Sequence, residues 1–266
     1  MNSGMYAALS GSMASIQRME ALTNNLANLN TSGYKKDRMV FETVLANADA
    51  ANTTSEVLDR TPVQSGVQFV TDYSIGSVRQ TGATLDFALD GDGYFAVNTP
   101  QGKAYTRQGN FHLDAGGKLV TSQGDEVLGN GSPITLTGNK VEVNGKGEIL
   151  VDGVQAGALD MVDFPKPYAL QKAGSTLFTP APGVVGQPTT KTSVRQGSLE
   201  GSNVDPILEM ANLIETTRYY ESCIKAVKSY DDMAVYLAGI NWAYSPVIIA
   251  IIAGITKELN NNYSQN

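Results

Sequence analysis

One cysteine and one histidine stand in the whole chain of 266 residues, and charged residues make up only 17% of it. A lone Cys223 excludes an intrachain disulfide. Its place within an apolar helical pattern reads as a small buried hydrophobe rather than a nucleophile. A lone His112 leaves no material for a histidine-rich zinc site. Its setting in GNFHLD reads as a surface strand position rather than the base of a triad. No basic patch stands out, and the net charge of −7 argues against a nucleic-acid partner. The N-terminus, MNSGMYAALSGSM, has neither a basic n-region nor a long apolar run, so no secretory signal peptide is expected there. P-loop and G-x-S-x-G patterns are absent from the sequence.

DGDGYF (Asp90–Phe95) imitates two ligand loops and satisfies neither. As a calcium loop it has Tyr94 at the next alternate position and Gln101 where a bidentate glutamate belongs. As a dinucleotide loop, Gly91, Gly93 and Ala96 precede a strand-like run, so no helix N-terminus awaits a pyrophosphate. A tight hairpin turn is the expectation. These exclusions together predict no enzyme, no cofactor, no metal and no small-molecule substrate.

What the chain has is helix at both ends and strand between them. Met5, Leu9, Ser12, Ile16, Met19, Thr23 and Leu26 alternate steps of four and three, a heptad seam. Few charges flank it, essentially Arg18 and Glu20, so most of the helix circumference should be covered by something. Gly33 is expected to stop this helix as a left-handed C′ residue. The stretch MVFETVLANA could extend a helix, and ADAANTTSEVLDRTP reads as a loop. From Tyr73 onward, short alternating runs are broken by Gly-containing turns every eight to twelve residues, the rhythm of a barrel or meander. KPYALQKAGSTLFTPAPG reads as a connection, and VRQGSLEGSN as a last extended stretch.

A second helix begins near Asn203, with Pro206 in its first turn. It carries two apolar sets. One is Ile207, Met210 and Ile214. The other is Leu213, Tyr220, Cys223, Val227, Tyr230, Ala234 and Leu237. A face that wide can meet more than one neighbour. Helix is expected to persist to about Trp242 and to break or kink at Pro246. The uncharged run from Met233 to Thr256 is long enough for a membrane span, but Asn241, Ser245 and Pro246 interrupt it. The fold class expected is α+β: paired, coiled-coil-like terminal helices flanking a β-rich barrel or meander. The segments are 1–34 (helix), 35–72 (linker), 73–202 (β body), 203–242 (helix) and 243–266 (an apolar tail).

The stretch NNLANLNTSGY leaves two readings open. Asn24, Asn25, Asn28 and Asn30 could cap a fraying helix end, or could form a polar strip that bonds neighbouring chains without the desolvation cost of a charge.

Three blocks then resemble one family. SGMYAALSGSMASIQRMEALTNNLANLNTSGYKK is similar to the N-terminal signature of the flagellar rod, hook and hook-filament-junction proteins, the axial family. RQTGATLDFALDGDGYFAVNTPQGKAYTRQGNFHLDAGGKLVTSQGDEVLG resembles its central block, and LEGSNVDPILEMANLIETTRYYESCIKAVKSYDDM its C-terminal signature. Size and the short link after Lys36 look like a proximal-rod member. A distal-rod member would carry a longer, more defined insertion there, and a hook protein a larger outer domain. The resemblance implies a non-catalytic structural subunit, its terminal helices in a tubular inner layer. It implies assembly with copies of itself and with other rod and hook-family proteins, export by the flagellar type III apparatus, and a basal-body location spanning the periplasm. The expected subunit interface comprises Met5, Leu9, Ser12, Ile16, Met19, Thr23, Asn24, Asn25, Leu26, Asn28, Asn30, Leu213, Tyr220, Val227 and Tyr230. The sequence beyond Met233 departs from the family pattern. It alone suggests the alternative of a tail-anchored binding module.

Overall fold

The computed structural model of the chain describes residues 3–42, 66–138, 140–189 and 191–263. It is α+β. Helix α1 is Ser3–Ala27 and helix α2 is Pro206–Tyr263, with short strands between. Two compact units divide it, Met1–Met19 with Leu213–Asn266, and Glu20–Asn212. Both boundaries fall inside helices, so the last two turns of α1 and the first two of α2 belong to the β-rich unit.

In the helical unit α1 and α2 run antiparallel. Gly4 leaves room for the Tyr230 ring, and a Cβ at Gly11 would sit 3.3 Å from Cys223 Sγ. Thr217 Oγ1 lies 3.7 Å from Met19 Sδ. Positions on α1 rise as those on α2 fall. The expected break at Pro246 does not occur, and α2 continues through it. A proline forfeits one N–H, so a single bond, to the Trp242 carbonyl, is lost from a long ladder. Among the described residues no helix is long and apolar enough to cross a membrane.

In the β-rich unit the strands pair antiparallel and form open sheets. The largest runs in the order Leu170–Lys172, Leu177–Pro180, Gly102–Thr106, Tyr94–Thr99, Glu126–Gly129, Leu119–Val120, His112–Leu113. Its end strands do not pair with each other, so the barrel expectation is corrected to open sheets. The meander expectation holds in Val141–Val143, Glu148–Val151 and Val154–Ala158, which pair in chain order. Strand alternation sends neighbouring side chains to opposite faces. Phe95 and Val97 therefore enter one core with Phe87, Phe111 and Ile149, while Tyr94 and Ala96 enter a second with Tyr105, Phe164 and Phe178. Burial on both faces explains why YFAV reads as a continuous apolar run.

Three local expectations change. DGDG is not a hairpin turn: Phe87–Asp90 pairs with Ser193–Gln196, and Tyr94–Thr99 pairs with Gly102–Thr106. Gly91 and Gly93, at φ 121° and 130°, instead turn the chain from one sheet to another. Asp37–Glu42 is a strand, not a helical extension, paired with Gly66–Thr71. Its Met-Val-Phe core suits a pleated ribbon better than a helix; the rest of MVFETVLANA and the loop expected in ADAANTTSEVLDRTP fall within 43–65, outside the described residues. The segment read as a mere connection contains a hairpin, Leu170–Lys172 with Leu177–Pro180.

Candidate functional site

Three stretches distant in sequence converge on one buried polar cluster in the β-rich unit. Glu200 closes the strand Ser198–Glu200, and its side chain is sealed from solvent. Lys35 Nζ stands 2.6 Å from Glu200 Oε1. Arg107 Nη1 donates to Glu200 Oε2 at 3.0 Å, and the Gly76 N–H donates to Oε1 at 3.0 Å. Lys35 also donates to the Ser74 carbonyl at 2.6 Å. Arg107 reaches the Gly91 carbonyl at 2.7 Å and lies 5.3 Å over the Tyr94 ring. Lys35, Arg107 and Glu200 are all buried. Burial holds the Lys35 ammonium below the ordinary lysine range, and Glu200 only partly offsets that.

A second layer ties the helix ends to this cluster. The Asn25 carboxamide oxygen accepts from Tyr34 Oη at 3.1 Å and from the Asp37 N–H at 3.0 Å. Its Nδ2 donates to the Asp37 carbonyl at 3.0 Å and to Glu209 Oε2 at 3.4 Å. Asn203 accepts from the Lys36 N–H at 2.8 Å and donates to the Asp72 carbonyl at 2.8 Å. Lys172 donates to Asp37 Oδ2 at 2.7 Å and sits 4.6 Å over the Tyr34 ring. Burial, then the nearby Asp37 and Glu209 carboxylates, push the Tyr34 phenol up to about 12. Asp205 accepts from the N–H groups of Ile207 and Leu208 at 3.0 and 3.2 Å, capping α2.

The asparagine stretch thus divides. Asn25 is buried and its side-chain bonds lie inside the chain. It sits on the inner face of α1, where a carboxamide can both donate and accept. Asn28 donates to the Asn24 carbonyl at 3.0 Å and to Asn24 Oδ1 at 2.8 Å, and Thr31 donates to Asn28 Oδ1 at 3.1 Å. Those bonds close the end of α1 at Ala27. Gly33 lies beyond that end rather than at C′. At φ 69° it donates its N–H to the Glu200 carbonyl at 2.9 Å. Asn24, Asn30 and Thr23 are exposed.

The heptad seam divides as well. Met5, Met19 and Leu26 are half-buried and Ser12 is buried, but Leu9 and Ile16 are exposed. Their places toward the interior are taken by Ala8, half-buried, and Ser15, buried. The large side chains that α2 brings against α1 meet glycines: the Tyr230 ring lies at Gly4, and Tyr219 and Cys223 lie at Gly11. On α2 the set Leu213, Tyr220, Val227 and Tyr230 is half-buried around buried Cys223, while Ile207, Met210 and Ile214 are exposed. The side chains of Ala234 and Leu237 lie outside the described residues.

Sequence reasoning missed Lys35, Arg107, Glu200, Asn203 and Glu209 as cluster members. The available signal was charge placed inside otherwise apolar or Gly-rich blocks, in TSGYKK and SLEGSNVDP. Among the described residues, no three His, Cys, Asp or Glu side chains gather as metal ligands would.

Three family models match the chain, and together they define a class of flagellar axial components. The Flagella basal body rod protein model covers residues 5–35, the Flagellar hook protein FlgE/F/G D1 domain model covers 88–151, and the Flagellar basal body rod FlgEFG protein C-terminal model covers 195–240. Each holds part of the polar cluster. Similar proteins include the flagellar basal-body rod protein FlgF of Rhizobium meliloti (strain 1021), 36% identical over 227 residues, 84% of this chain and 90% of that protein. FlgG of Bacillus subtilis (strain 168) is 31% identical over 258 residues, 89% of this chain and 98% of its own length. FlgF of Caulobacter vibrioides is 32% identical over 243 residues, 88% and 96% respectively. The chain belongs to the flagellar basal-body rod protein family and is a structural subunit of the rod in the flagellar basal body.

Proposed function

We propose that the chain is a non-catalytic building block that polymerises with copies of itself and with other rod and hook-family proteins, in a shaft spanning the periplasm. The observation that carries this is the pair of uncharged helix faces left exposed on α1 and α2, in a chain similar to rod proteins over most of its length. Exposed contiguous apolar faces of this kind mark interaction surfaces. The antiparallel α1–α2 pair supports the finer reading of a coiled-coil-like inner segment. The interface is drawn from the exposed residues Leu9, Ile16, Thr23, Asn24 and Asn30, while Met19 and Tyr230 meet the opposite helix of their own chain at Thr217 and Gly4. Export through the flagellar type III apparatus belongs to the same reading.

FlgF-type and FlgG-type proteins are both among the relatives. The proximal, FlgF-type position is favoured by the 36% identity to the Rhizobium meliloti protein. The Asp37–Glu42 and Gly66–Thr71 ribbon means that the segment after α1 is not a bare link. Link length therefore no longer separates the two positions. Deleting the gene tests the reading. Loss of motility with truncated basal bodies is the expected result, and supplying FlgF but not FlgG from a relative should restore swimming. A motile deletion strain would overturn the structural role, and rescue by FlgG alone would overturn the position.

A further inference from the structure

The chain holds two Asn-Gly pairs, and the fold treats them differently. Asn144 is pinned. Its Oδ1 accepts from the N–H groups of Lys146 and Glu148 at 3.0 and 3.1 Å, and its Nδ2 donates to Glu148 Oε2 at 2.6 Å. Asn130 is exposed at the tip of the hairpin that joins Glu126–Gly129 to Ser132–Pro133. With φ 52° at Asn130 and 79° at Gly131, the two residues form a tight hairpin turn. Among the described residues the Asn130 carboxamide makes no hydrogen bond. A Cβ at Gly131 would meet nothing within 4 Å, so the approach to its nitrogen is open. The Gly131 N–H donates to Asp160 Oδ2 at 2.9 Å. Asp160 is itself fixed through its backbone. Its N–H donates to the Leu128 carbonyl at 3.0 Å, and its carbonyl accepts from the Ala96 N–H at 3.0 Å. Among the described residues no cation pairs with its carboxylate.

We propose that Asn130 is a site of self-modification by deamidation, with Asp160 as the base. The Gly131 nitrogen attacks Asn130 Cγ with its out-of-plane electrons, so its in-plane N–H keeps the bond to Asp160. As the new N–C bond forms, that proton passes to Asp160 and on to Nδ2, which leaves as ammonia. Water then opens the five-membered imide at one of its two carbonyls. The product is aspartate or isoaspartate, and either adds a negative charge beside Asp160. Isoaspartate also adds a carbon to the main chain of a turn that only two residues close. The strand after the turn is what this loosens. Ile134 donates its N–H to the Val127 carbonyl at 3.0 Å and is buried in the core of Phe87, Phe111 and Ile149. The β-rich unit thus ages at one Asn-Gly turn and is protected at the other.

Peptide mapping by mass spectrometry tests this on the purified full chain, incubated at neutral pH and growth temperature. Conversion of amide to acid should run about a hundredfold faster at Asn130 than at Asn144, where three hydrogen bonds have to break first. In strong urea the two rates should become equal, because only the fold separates them. An isoaspartyl methyltransferase should label the Asn130 peptide of the folded chain and not the Asn144 peptide. Equal rates in the folded chain, or faster conversion at Asn144, overturn the site. Asp160→Asn keeps an acceptor for the Gly131 N–H and removes the base. It should slow conversion at Asn130 about a hundredfold and leave Asn144 unchanged. An unchanged or faster Asn130 in that variant overturns the part given to Asp160. Should the variant melt early, the pH profile of the unaltered chain decides. A rate nearly level across neutral pH supports a carboxylate base. A rise of about tenfold per pH unit means that hydroxide takes the proton, and overturns it.

Discussion

Replacing Glu200 by glutamine keeps the shape of the side chain and removes the one anion between two buried cations. Lys35 stands at 2.6 Å and Arg107 at 3.0 Å from its two oxygens. At an effective dielectric of about 20 each attraction is roughly 6 kcal/mol before desolvation is charged against it. Removing one partner of a buried pair costs about 3–5 kcal/mol, because the remaining charge is stranded. Lys35 can relieve part of this by shedding its proton, which burial already favours. Arg107 cannot, since guanidinium stays charged in proteins. The expected loss is therefore about 3–5 kcal/mol, a large share of the roughly 5–15 kcal/mol that holds a domain folded. With a urea slope near 2–3 kcal/mol/M, the midpoint should fall by about 1.5 M. Urea titration of the isolated chain, followed through the β signal, measures it. Glu126→Gln, which breaks the half-buried Lys118 pair near the surface, should move the midpoint far less. Glu200→Gln combined with Lys35→Met should recover part of the loss. A Glu200→Gln midpoint equal to that of Glu126→Gln would refute the claim that this cluster carries the fold.

Asn25→Asp should cost several kcal/mol, because it sets a buried carboxylate 3.4 Å from Glu209. Asn24→Asp, on the exposed side, should stay within about 0.5 kcal/mol, and paired urea midpoints compare the two. Tyr34 has its phenol raised to about 12, so its contribution to stability is complete below pH 10 and is lost as pH rises from 10 toward 12. Tyr34→Phe should flatten that part of the alkaline unfolding curve, and an unchanged slope would count against the burial. Gly33→Ala should cost more than about 2 kcal/mol. A left-handed φ alone costs roughly 1–2 kcal/mol, and the new Cβ would meet the Arg107–Gln108 backbone. Gly82→Ala, equally left-handed but with open space around it, should cost only the first part, and thermal melts of the two variants separate the terms.

The sequence alone determined the order of elements, the two terminal helices, the β-rich middle and the family. Those rest on local signals: helical spacing, Gly-marked turns, a first-turn proline, and three blocks in one order. The meander of Val141–Ala158 and the extended VRQGSLEGSN were legible for the same reason, since adjacent strands pair through their own turns. Only the tertiary structure decided which face of each helix turns inward. A seam read for large apolar residues chose Leu9 and Ile16, yet the inner positions went to Ala8 and Ser15. Tyr230 and Tyr219 fit against α1 at Gly4 and Gly11, and no spacing rule encodes the volume of a partner 200 residues away. It also decided that Asn25 is an internal clasp, that DGDG joins two sheets, and that Lys35, Arg107 and Glu200 meet. A buried charge is tolerable only where its counter-ions converge, and that convergence of three distant stretches is a property of the folded chain, not of any one of them.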